Sequence, residues 1–549
     1  MDLVLRGGKL VDGTGAPARA ADVGVAGGRI AVVGEVAADG AEEIDLDGLV
    51  LAPGFVDIHT HYDAQITWDP DLTPSCWHGV TTVVMGNCGF GIAPTRPEHR
   101  AVIARTLENV EGMSVDALEA GIDWTFETFP EYLDAVDAIE KRLNVGALIG
   151  HTPLRLYVLG DEATERAATD AEIERMKVIV REAIDAGAMG FATSKSPTHS
   201  GDGGKPVPSR LAEVDEIGRI AAALAEAGRG VVQATPGSGF FTDQFSELAQ
   251  RLGRPVTWTA LLTGMFGMGK GVALNLLEKQ MASGGEVWPQ IACRPLVMQV
   301  NLADPFPFAM LPAFKEILAV ARPDRADLYA DPAWRERARV DVAKRWEHLW
   351  PKTTVQETVK HAELRDGPSL AELAAQRGTD PLDVLLDLSL DENLQTRFRV
   401  VLANDDAEEL ATLLRDDRAV LGLSDAGAHA SQLCDANFST HLLGHWVRET
   451  GVLTLEQAVH RLTGHAANVF RLEDRGVLRT GAWADLVAFD ADTVAAGELE
   501  RVWDLPGGAD RLIAHGTGIE HVWVNGTAIR LGGEDLDARP GALMRGGTA

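Results

Sequence analysis

Cations are scarce in this sequence of 549 residues, which has 50 lysines and arginines against 81 aspartates and glutamates. The formal net charge of −31 at pH 7 argues against nucleic acid as a partner, because phosphate binding needs clustered cations. A run of about 18 uncharged apolar residues, which a transmembrane helix needs, is also missing. The first residues, MDLVLRGGKLVDG, lack the basic and apolar regions of a secretory signal. We therefore expect a cytoplasmic protein without a membrane or nucleic-acid partner.

Cysteine is also rare, since the chain has only Cys76, Cys88, Cys293 and Cys434. Four scattered cysteines are too few for a disulfide framework in a chain of this length, which favours a reducing compartment. No two of them have the CxxC spacing, so a structural zinc site of the four-cysteine kind is excluded.

The middle of the chain alternates apolar, strand-like runs with stretches of helical periodicity. Residues 169–187 repeat apolar side chains at helical spacing, with Thr169 or Asp170 as the N-cap and Gly187 as the C-cap. Such alternation is typical of βαβ units and a parallel sheet. Eight strand-like runs can be counted, at residues 54–59, 79–86, 144–150, 188–193, 229–235, 254–262, 290–300 and 419–424. Eight strands predict an α/β fold of the (β/α)8 TIM-barrel type, with its chemistry at the C-terminal strand ends.

The two ends of the chain differ from the middle. Residues 1–52 and 476–549 contain short β-like runs with glycine-rich turns, and we expect them to pair into one small β-sandwich domain. The barrel would then span residues 53–475. Two long stretches within it, at about 89–143 and 301–418, exceed ordinary loop lengths and predict lids, helical covers or contacts of a homo-oligomer.

The first predicted strand ends in His59-Thr60-His61. Side chains at i and i+2 of a strand point to the same side, so both imidazoles can face one metal ion at the barrel mouth. Packing or loop hydrogen bonding is the alternative explanation for an HxH pair.

The eighth predicted strand ends in SDAGAH, which places Asp425 at its C-terminal end. A carboxylate buried there is costly without a partner, so it indicates a metal ligand or a proton-transfer group. Asp425 could do both, by contacting a metal ion and accepting a proton from water. The alternative is an N-cap of the following helix. His429, in the same loop, would add a hydrogen bond or simply belong to the loop.

Together with the N-terminal arm, five segments resemble the amidohydrolase superfamily and, within it, the D-aminoacylase family of N-acyl-D-amino-acid deacylases. They are LAPGFVDIHTHYDAQ, HGVTTVVMGNCGFGIAP, NVGALIGHTPLR, SDAGAH and RLEDRGVLRTGAWADLVAFD. The resemblance covers nearly the whole chain in order. It implies a barrel with a β-sandwich, one or two metal ions, and hydrolysis of a C–N bond.

The resemblance also implies roles for single residues. His59, His61 and Asp425 match the metal ligands, and Asp425 matches the catalytic acid/base. Cys88, in GNCGF, is similar to a bridging cysteine ligand, and a metal ion would keep its thiol deprotonated. For His151, in GHTPLR, the resemblance implies either a contact with substrate or a supporting role behind the metal ligands.

Lys195, after the fourth predicted strand, lies where some relatives have a carboxylated lysine as a metal bridge. It is equally suited to hold a substrate carboxylate as a point charge, and a solvated surface lysine is the third alternative.

Three positions depart from the family pattern. The fifth and sixth strands offer Gln233 and Thr259 where relatives supply histidines to a second metal position, and Leu261 stands where a lysine holds the substrate carboxylate. Amide and hydroxyl oxygens bind zinc weakly compared with imidazole. We therefore expect one divalent ion rather than two. The donor types of the expected ligands favour Zn²⁺.

These observations predict a metal-dependent amidohydrolase that cleaves an N-acyl amino acid or a related small carboxylate-bearing amide. The expected substrate contacts are His151, Gln233, Thr259 and His429. Because the usual ligands and anchor are replaced, two alternatives stay open. One is a barrel with non-hydrolytic chemistry, such as a cyclase, lyase or decarboxylase, and the other is a protein that only binds its ligand.

Overall fold

The computed structural model of the protein describes residues 1–37, 41–308 and 311–546. Its centre is a parallel sheet of eight strands that follow one another in chain order across the sheet. Every predicted strand-like run overlaps one of these strands, so the α/β class is confirmed. The strands are β1 Phe55–Asp57, β2 Val80–Met85, β3 Asn144–Gly150, β4 Gly190–Ser194, β5 Val231–Thr235, β6 Val256–Trp258, β7 Val287–Ile291 and β8 Val420–Leu421.

The two edge strands of this sheet approach each other just beyond their C-terminal ends. Thr60, after β1, forms an isolated parallel bridge with Ala426, after β8. The His61 amide donates to the Ala426 carbonyl over 2.7 Å. Residues that follow the first and last strands are thereby brought side by side.

The seventh predicted strand, 290–300, is divided in the structure. β7 ends at Ile291, and a separate strand, Leu296–Val300, runs antiparallel to Arg397–Ala403 in another sheet. Pro295 lies between the two strands, and a proline has no N–H to continue the ladder. The prediction of a single long strand over 290–300 was therefore wrong, while the bounds of the second insertion stay a prediction.

Helices link the strands and cover the sheet. The predicted helix over 169–187 is confirmed, because α5, Asp170–Ala186, has Thr169 as N-cap in a capping box with Glu172. Its C-cap is Gly187, whose φ is 115°. In the part of the chain that is described, no helix is long and apolar enough to cross a membrane. The helices are α1 Arg100–Glu111, α2 Val115–Gly121, α3 Phe129–Ala138, α4 His151–Leu159, α5 Asp170–Ala186, α6 Val214–Ala227, α7 Thr242–Leu252, α8 Val272–Ser283, α9 Pro312–Leu318, α10 Arg325–Ala330, α11 Pro332–Arg345, α12 Leu370–Arg377, α13 Pro381–Asp391, α14 Ala407–Arg415, α15 Phe438–His441, α16 Leu455–His460 and α17 Ala466–Val469.

Strands from both ends of the chain share one sheet. Val50–Pro53, directly before β1, pairs antiparallel with Leu486–Phe489, and the shared sheet has seven strands. A four-stranded sheet packs nearby on a common core that includes Leu5, Leu51 and Trp523. The domain boundaries at residues 52 and 476 stay a prediction. The strands of the two sheets are Leu3–Arg6, Asp22–Ala26, Arg29–Gly34 and Glu42–Asp45, and Lys9–Leu10, Arg19–Ala20, Val50–Pro53, Leu486–Phe489, Ile519–Val524, Thr527–Leu531 and Glu534–Asp535.

The two long insertions have different constructions. The first carries α1, α2 and α3, whose buried side chains join the main core. The second carries α9 to α14, of which α9 to α13 pack on a separate core around Trp334 and Phe398, whereas Leu410 and Leu414 of α14 join the main core. Beside it, Leu296–Val300, Thr353–Glu357 and Arg397–Ala403 form a three-stranded sheet. Two short antiparallel pairs complete the strands, Ala495–Ala496 with Gly516–Thr517 and Glu500–Val502 with Arg511–Ile513.

Candidate metal centre

Two imidazoles and a carboxylate meet where β1 and β8 end. His59 Nε2 and His61 Nε2 lie 3.2 Å and 3.5 Å from the same oxygen, Asp425 Oδ1. Thr60, between the two histidines, instead donates its hydroxyl to the Val84 carbonyl. Alternation along the strand therefore places both imidazoles on one side, as the HxH spacing predicts.

Cys88 completes this group from the loop after β2. Its Sγ lies 3.5 Å from His59 Nε2, and ligand atoms of His59, His61 and Cys88 all fall within 4.8 Å of one another. Glycines shape the loop, since a Cβ at Gly86 would collide with the Leu148 carbonyl oxygen. Burial alone raises the pKa of the Cys88 thiol, but His59 and His61 outweigh it and lower that pKa to about 6. The thiolate is thus the accessible form at neutral pH.

Asp425 is fixed by the residues that precede it. Ser424 donates its hydroxyl to Asp57 Oδ2 over 2.5 Å and accepts from the Ala426 amide over 3.0 Å. Burial by itself raises the pKa of Asp425, but hydrogen bonds from His59 and His61 outweigh it and hold that pKa well below its ordinary value. The N-cap alternative does not apply, because the next helix begins at Phe438 with Asn437 as N-cap.

Each imidazole has a polar partner at its second nitrogen. His59 Nδ1 lies 2.6 Å from Gln290 Oε1, and His61 Nδ1 lies 3.3 Å from Glu111 Oε1. A polar partner at Nδ1 fixes the orientation of each ring, so that Nε2 is directed toward Asp425 and Cys88.

Gln233 and Thr259, for which the resemblance implies histidines, lie behind this group. Gln233 Oε1 accepts from the Cys88 amide over 2.7 Å, and Gln233 Nε2 donates to Thr259 Oγ1 over 3.1 Å. Thr259 in turn donates to Gln290 Oε1, the partner of His59. The structure therefore gives both side chains partners behind the ligands, whereas the sequence predicted contacts with substrate.

Lys195 and His151 have internal partners. Lys195 Nζ donates to the carbonyls of Arg210 and Ala212 over 2.7 Å and 2.5 Å, an arrangement that does not fit the predicted metal ligand. His151 is fully buried, with Nδ1 2.9 Å from Thr193 Oγ1 and Nε2 3.1 Å from Glu216 Oε1. This arrangement fits a supporting role for His151, one of the two alternatives, and not the substrate contact.

His429 lies in the loop after Asp425. Its backbone amide donates to the Glu111 carbonyl, which joins the loop to the end of α1. Burial lowers the pKa of its imidazole, so the neutral form prevails at pH 7.

Three residues near the ligands were missed by the sequence analysis. Asp57 precedes His59 by two positions, so strand alternation indicates that both side chains lie on the same side of β1. Burial raises the pKa of Asp57 to about 7. Gln290 is the penultimate residue of β7, close to the C-terminal strand end where the chemistry is expected. Glu111 gave a weaker signal, an acid in the last position of a helix, where the helix dipole disfavours it. Burial raises the pKa of Glu111 to about 8.

The chain is similar to known deacylases over nearly its whole length. The chain is 31% identical to an N-acyl-D-glutamate deacylase of Alcaligenes xylosoxydans xylosoxydans, across 99% of this chain and 96% of that protein. It resembles the solved structure of a D-aminoacylase, described for its binuclear metal centre, one-metal activation and second-metal attenuation, with a TM-score of 0.69 and 28% identity over 99% of both chains. It also resembles an N-acyl-D-glutamate deacylase from Bordetella bronchiseptica in complex with zinc and a phosphonate inhibitor, with a TM-score of 0.68 and 29% identity over 99% of both chains.

The family model described as "Amidohydrolase family" matches residues 42–529. That range extends from the N-terminal sheets, through all eight parallel strands and both insertions, into the C-terminal strands. The resemblance seen in the sequence is confirmed, and this chain belongs to the amidohydrolase family.

Proposed function

We propose that this protein is a metal-dependent amidohydrolase that cleaves the amide bond of an N-acyl-D-amino acid. The observation that carries the proposal is the convergence of His59, His61, Cys88 and Asp425 where β1, β2 and β8 end. The names of the relatives, N-acyl-D-glutamate deacylase and D-aminoacylase, supply the substrate class. Its partner is thus a small carboxylate-bearing molecule.

The converging donors suit a zinc ion. Two imidazole nitrogens, one thiolate and one carboxylate oxygen are the ligand types that Zn²⁺ takes in proteins. Among the described residues, His59, His61 and Cys88 form the one such cluster of three or more side chains, and Asp425 adjoins it. We propose one ion rather than two, because Gln233 and Thr259 occupy the places of the missing histidines and hold Cys88 and Gln290.

A divalent ion held there would supply Lewis acidity toward the amide carbonyl and make water easier to deprotonate. Asp425 supplies the proton acceptor, because its low pKa keeps it ionised and its side chain is 26% exposed to the mouth. It takes a proton from the attacking water as the new C–O bond forms. It then returns that proton to the amide nitrogen as the C–N bond breaks, which releases a carboxylate and a free amine. Ser424, bonded to Asp57, holds the strand end that carries this carboxylate.

Leu261 stands about where the resemblance implies a lysine that holds the substrate carboxylate. Leu261 is buried, and its amide donates to the Gln290 carbonyl. We propose that His429 faces the substrate instead, as its place in the loop after Asp425 favours. His199 is a further candidate, since its ring lies against Phe90 and is held by Ser194 at Nδ1 over 2.7 Å.

We also propose that the parallel sheet closes as a (β/α)8 barrel beside a small domain made from both chain ends. The bridge between Thr60 and Ala426 and the neighbouring His61 hydrogen bond support closure. The four unpaired cysteines are compatible with the reducing compartment that the sequence predicts.

The proposal is tested by metal analysis and a substrate panel. Protein purified with Zn²⁺ should contain close to one ion per chain, and H59A should lose most of it. H445A, which removes a half-exposed histidine paired with Glu449, is the matched control and should retain the metal. N-acetyl derivatives of D- and L-glutamate, aspartate and leucine are then assayed for amine release. Metal-loaded protein that hydrolyses none of the D-compounds would contradict the proposed function.

A further inference from the structure

Glu111 is a carboxylate in a costly position. It is the last residue of α1, in the insertion after β2, and it is 3% exposed. The C-terminal end of a helix carries partial negative charge, so an acid there is destabilising. Burial of the carboxylate adds a desolvation cost. Because both the helix dipole and burial disfavour this carboxylate, a specific partner must compensate for their cost.

That partner is an imidazole of the metal centre. Glu111 Oε1 lies 3.3 Å from His61 Nδ1, while Nε2 of the same ring lies 3.5 Å from Asp425 Oδ1. The ring therefore connects Glu111 on one side with the converging ligands on the other. A carboxylate in this position holds the ring orientation and increases the basicity of the ligating nitrogen.

The backbone of Glu111 makes a second connection. Its carbonyl accepts from the His429 amide in the loop after β8. Gly112 follows at the helix end with φ 60°, and a Cβ there would approach His429 Cα to 3.2 Å. The close approach and the left-handed backbone both favour glycine at this position. One helix end thus contacts both strand ends that carry the proposed ligands.

We propose that Glu111 is a positioning residue that couples metal binding to the docking of the insertion segment 100–121 on the mouth of the sheet. The proposal rests on the metal site of the proposed function, but not on its substrate. A bound ion would fix the His61 ring and strengthen its contact with Glu111. The docked segment would in turn hold His61 in the orientation that binds the ion. Coupling of this kind is reciprocal, so either partner reports on the other.

The first test measures zinc affinity by competition with a chromophoric chelator. E111A should bind Zn²⁺ about 10- to 100-fold more weakly than the parent, as is typical when a carboxylate behind a metal-bound histidine is removed. E111Q keeps an acceptor oxygen but loses the charge, so its loss should be smaller. E108Q is the matched control, because Glu108 lies on the same helix, pairs with Arg322 and accepts from the Val115 amide. Its affinity should equal that of the parent.

The second test follows hydrogen exchange of residues 100–121 with and without Zn²⁺. In the parent and in E108Q, zinc should slow exchange at the C-terminal turn of α1, and in E111A this slowing should disappear. Equal zinc affinity and equal zinc-induced protection in E111A and the parent would overturn the proposal. If E111A fails to fold, the test rests on E111Q. Zinc affinity and zinc-induced protection equal to those of the parent in E111Q would then overturn the proposal. Neither measurement needs turnover, so a chain that binds zinc without hydrolysing amides would contradict the proposed function and leave this inference standing.

Discussion

Asp425→Asn separates proton transfer from metal binding. Asparagine has nearly the same shape and keeps an oxygen that can lie near the two imidazoles, as Asp425 Oδ1 does at 3.2 Å and 3.5 Å. What the variant loses is a group able to accept a proton from water. His59, His61 and Cys88 remain as donors, so we expect the zinc content to stay close to that of the parent.

The expected loss follows from the role of the carboxylate. A positioned general base contributes about 10²- to 10⁴-fold to a rate. Its removal should raise the barrier by about 3–5 kcal/mol, at about 1.4 kcal/mol for each factor of ten. Since Asp425 acts on water rather than gripping the substrate, kcat should fall while KM changes little.

The assay compares kcat, KM and zinc content in parent and variant with an N-acyl-D-amino acid. Asp485→Asn is a matched control, because Asp485 is also a buried carboxylate but contacts Asn144, where β3 begins at the opposite end of the sheet. That control should reduce thermal stability and leave kcat unchanged. A zinc-loaded D425N with kcat within about tenfold of the parent would refute the role of Asp425 as proton acceptor.

Three further changes test the surroundings of the site and the pH dependence of folding. C88S replaces a soft thiolate by a hydroxyl and should weaken zinc binding in the chelator competition, since serine is a poor zinc ligand; unchanged affinity would remove Cys88 from the ligand set. Q290L removes the acceptor 2.6 Å from His59 Nδ1 and should weaken zinc binding about 10- to 100-fold, whereas parental affinity would show that this contact is unimportant. Burial lowers the pKa of His78 from 6.5 to about 4, so the unfolded chain binds the proton first and stability should fall by roughly 3 kcal/mol as the pH decreases through that window. In urea unfolding between pH 7 and 4, the free energy of unfolding of H78Q should change less with pH than that of the parent. An equal slope in the two proteins would contradict the lowered pKa of His78.

The positions of the strands could be predicted from the sequence because each buried parallel strand is a short apolar run between turn signals. The error at residues 290–300 arose where two such runs are separated by little more than Pro295. Both runs are apolar, and only their partners show that they belong to different sheets.

The convergence of His59, His61, Cys88 and Asp425 was predictable from local pattern and family resemblance, but the side chains that support them were not. The sequence predicts Gln233 and Thr259 as departures from the family's histidine pattern, and this stays a prediction. Their actual contacts, with the Cys88 amide and with Gln290, depend on how three separate strands and a loop meet. Lys195 illustrates the opposite case, because a plausible position in sequence did not determine where its ammonium group points.

The pairing of Val50–Pro53 with Leu486–Phe489 has a consequence for synthesis of the protein on the ribosome. The N-terminal strands emerge first, but their neighbours in the shared sheet appear only after the eight parallel strands have been made. At typical elongation rates this delay is on the order of tens of seconds. During that time an apolar sheet edge has no partner and is open to unwanted pairing with other chains. The protein should therefore depend on chaperones more strongly than its well-packed final structure would indicate, and co-expression with them is expected to raise its soluble yield.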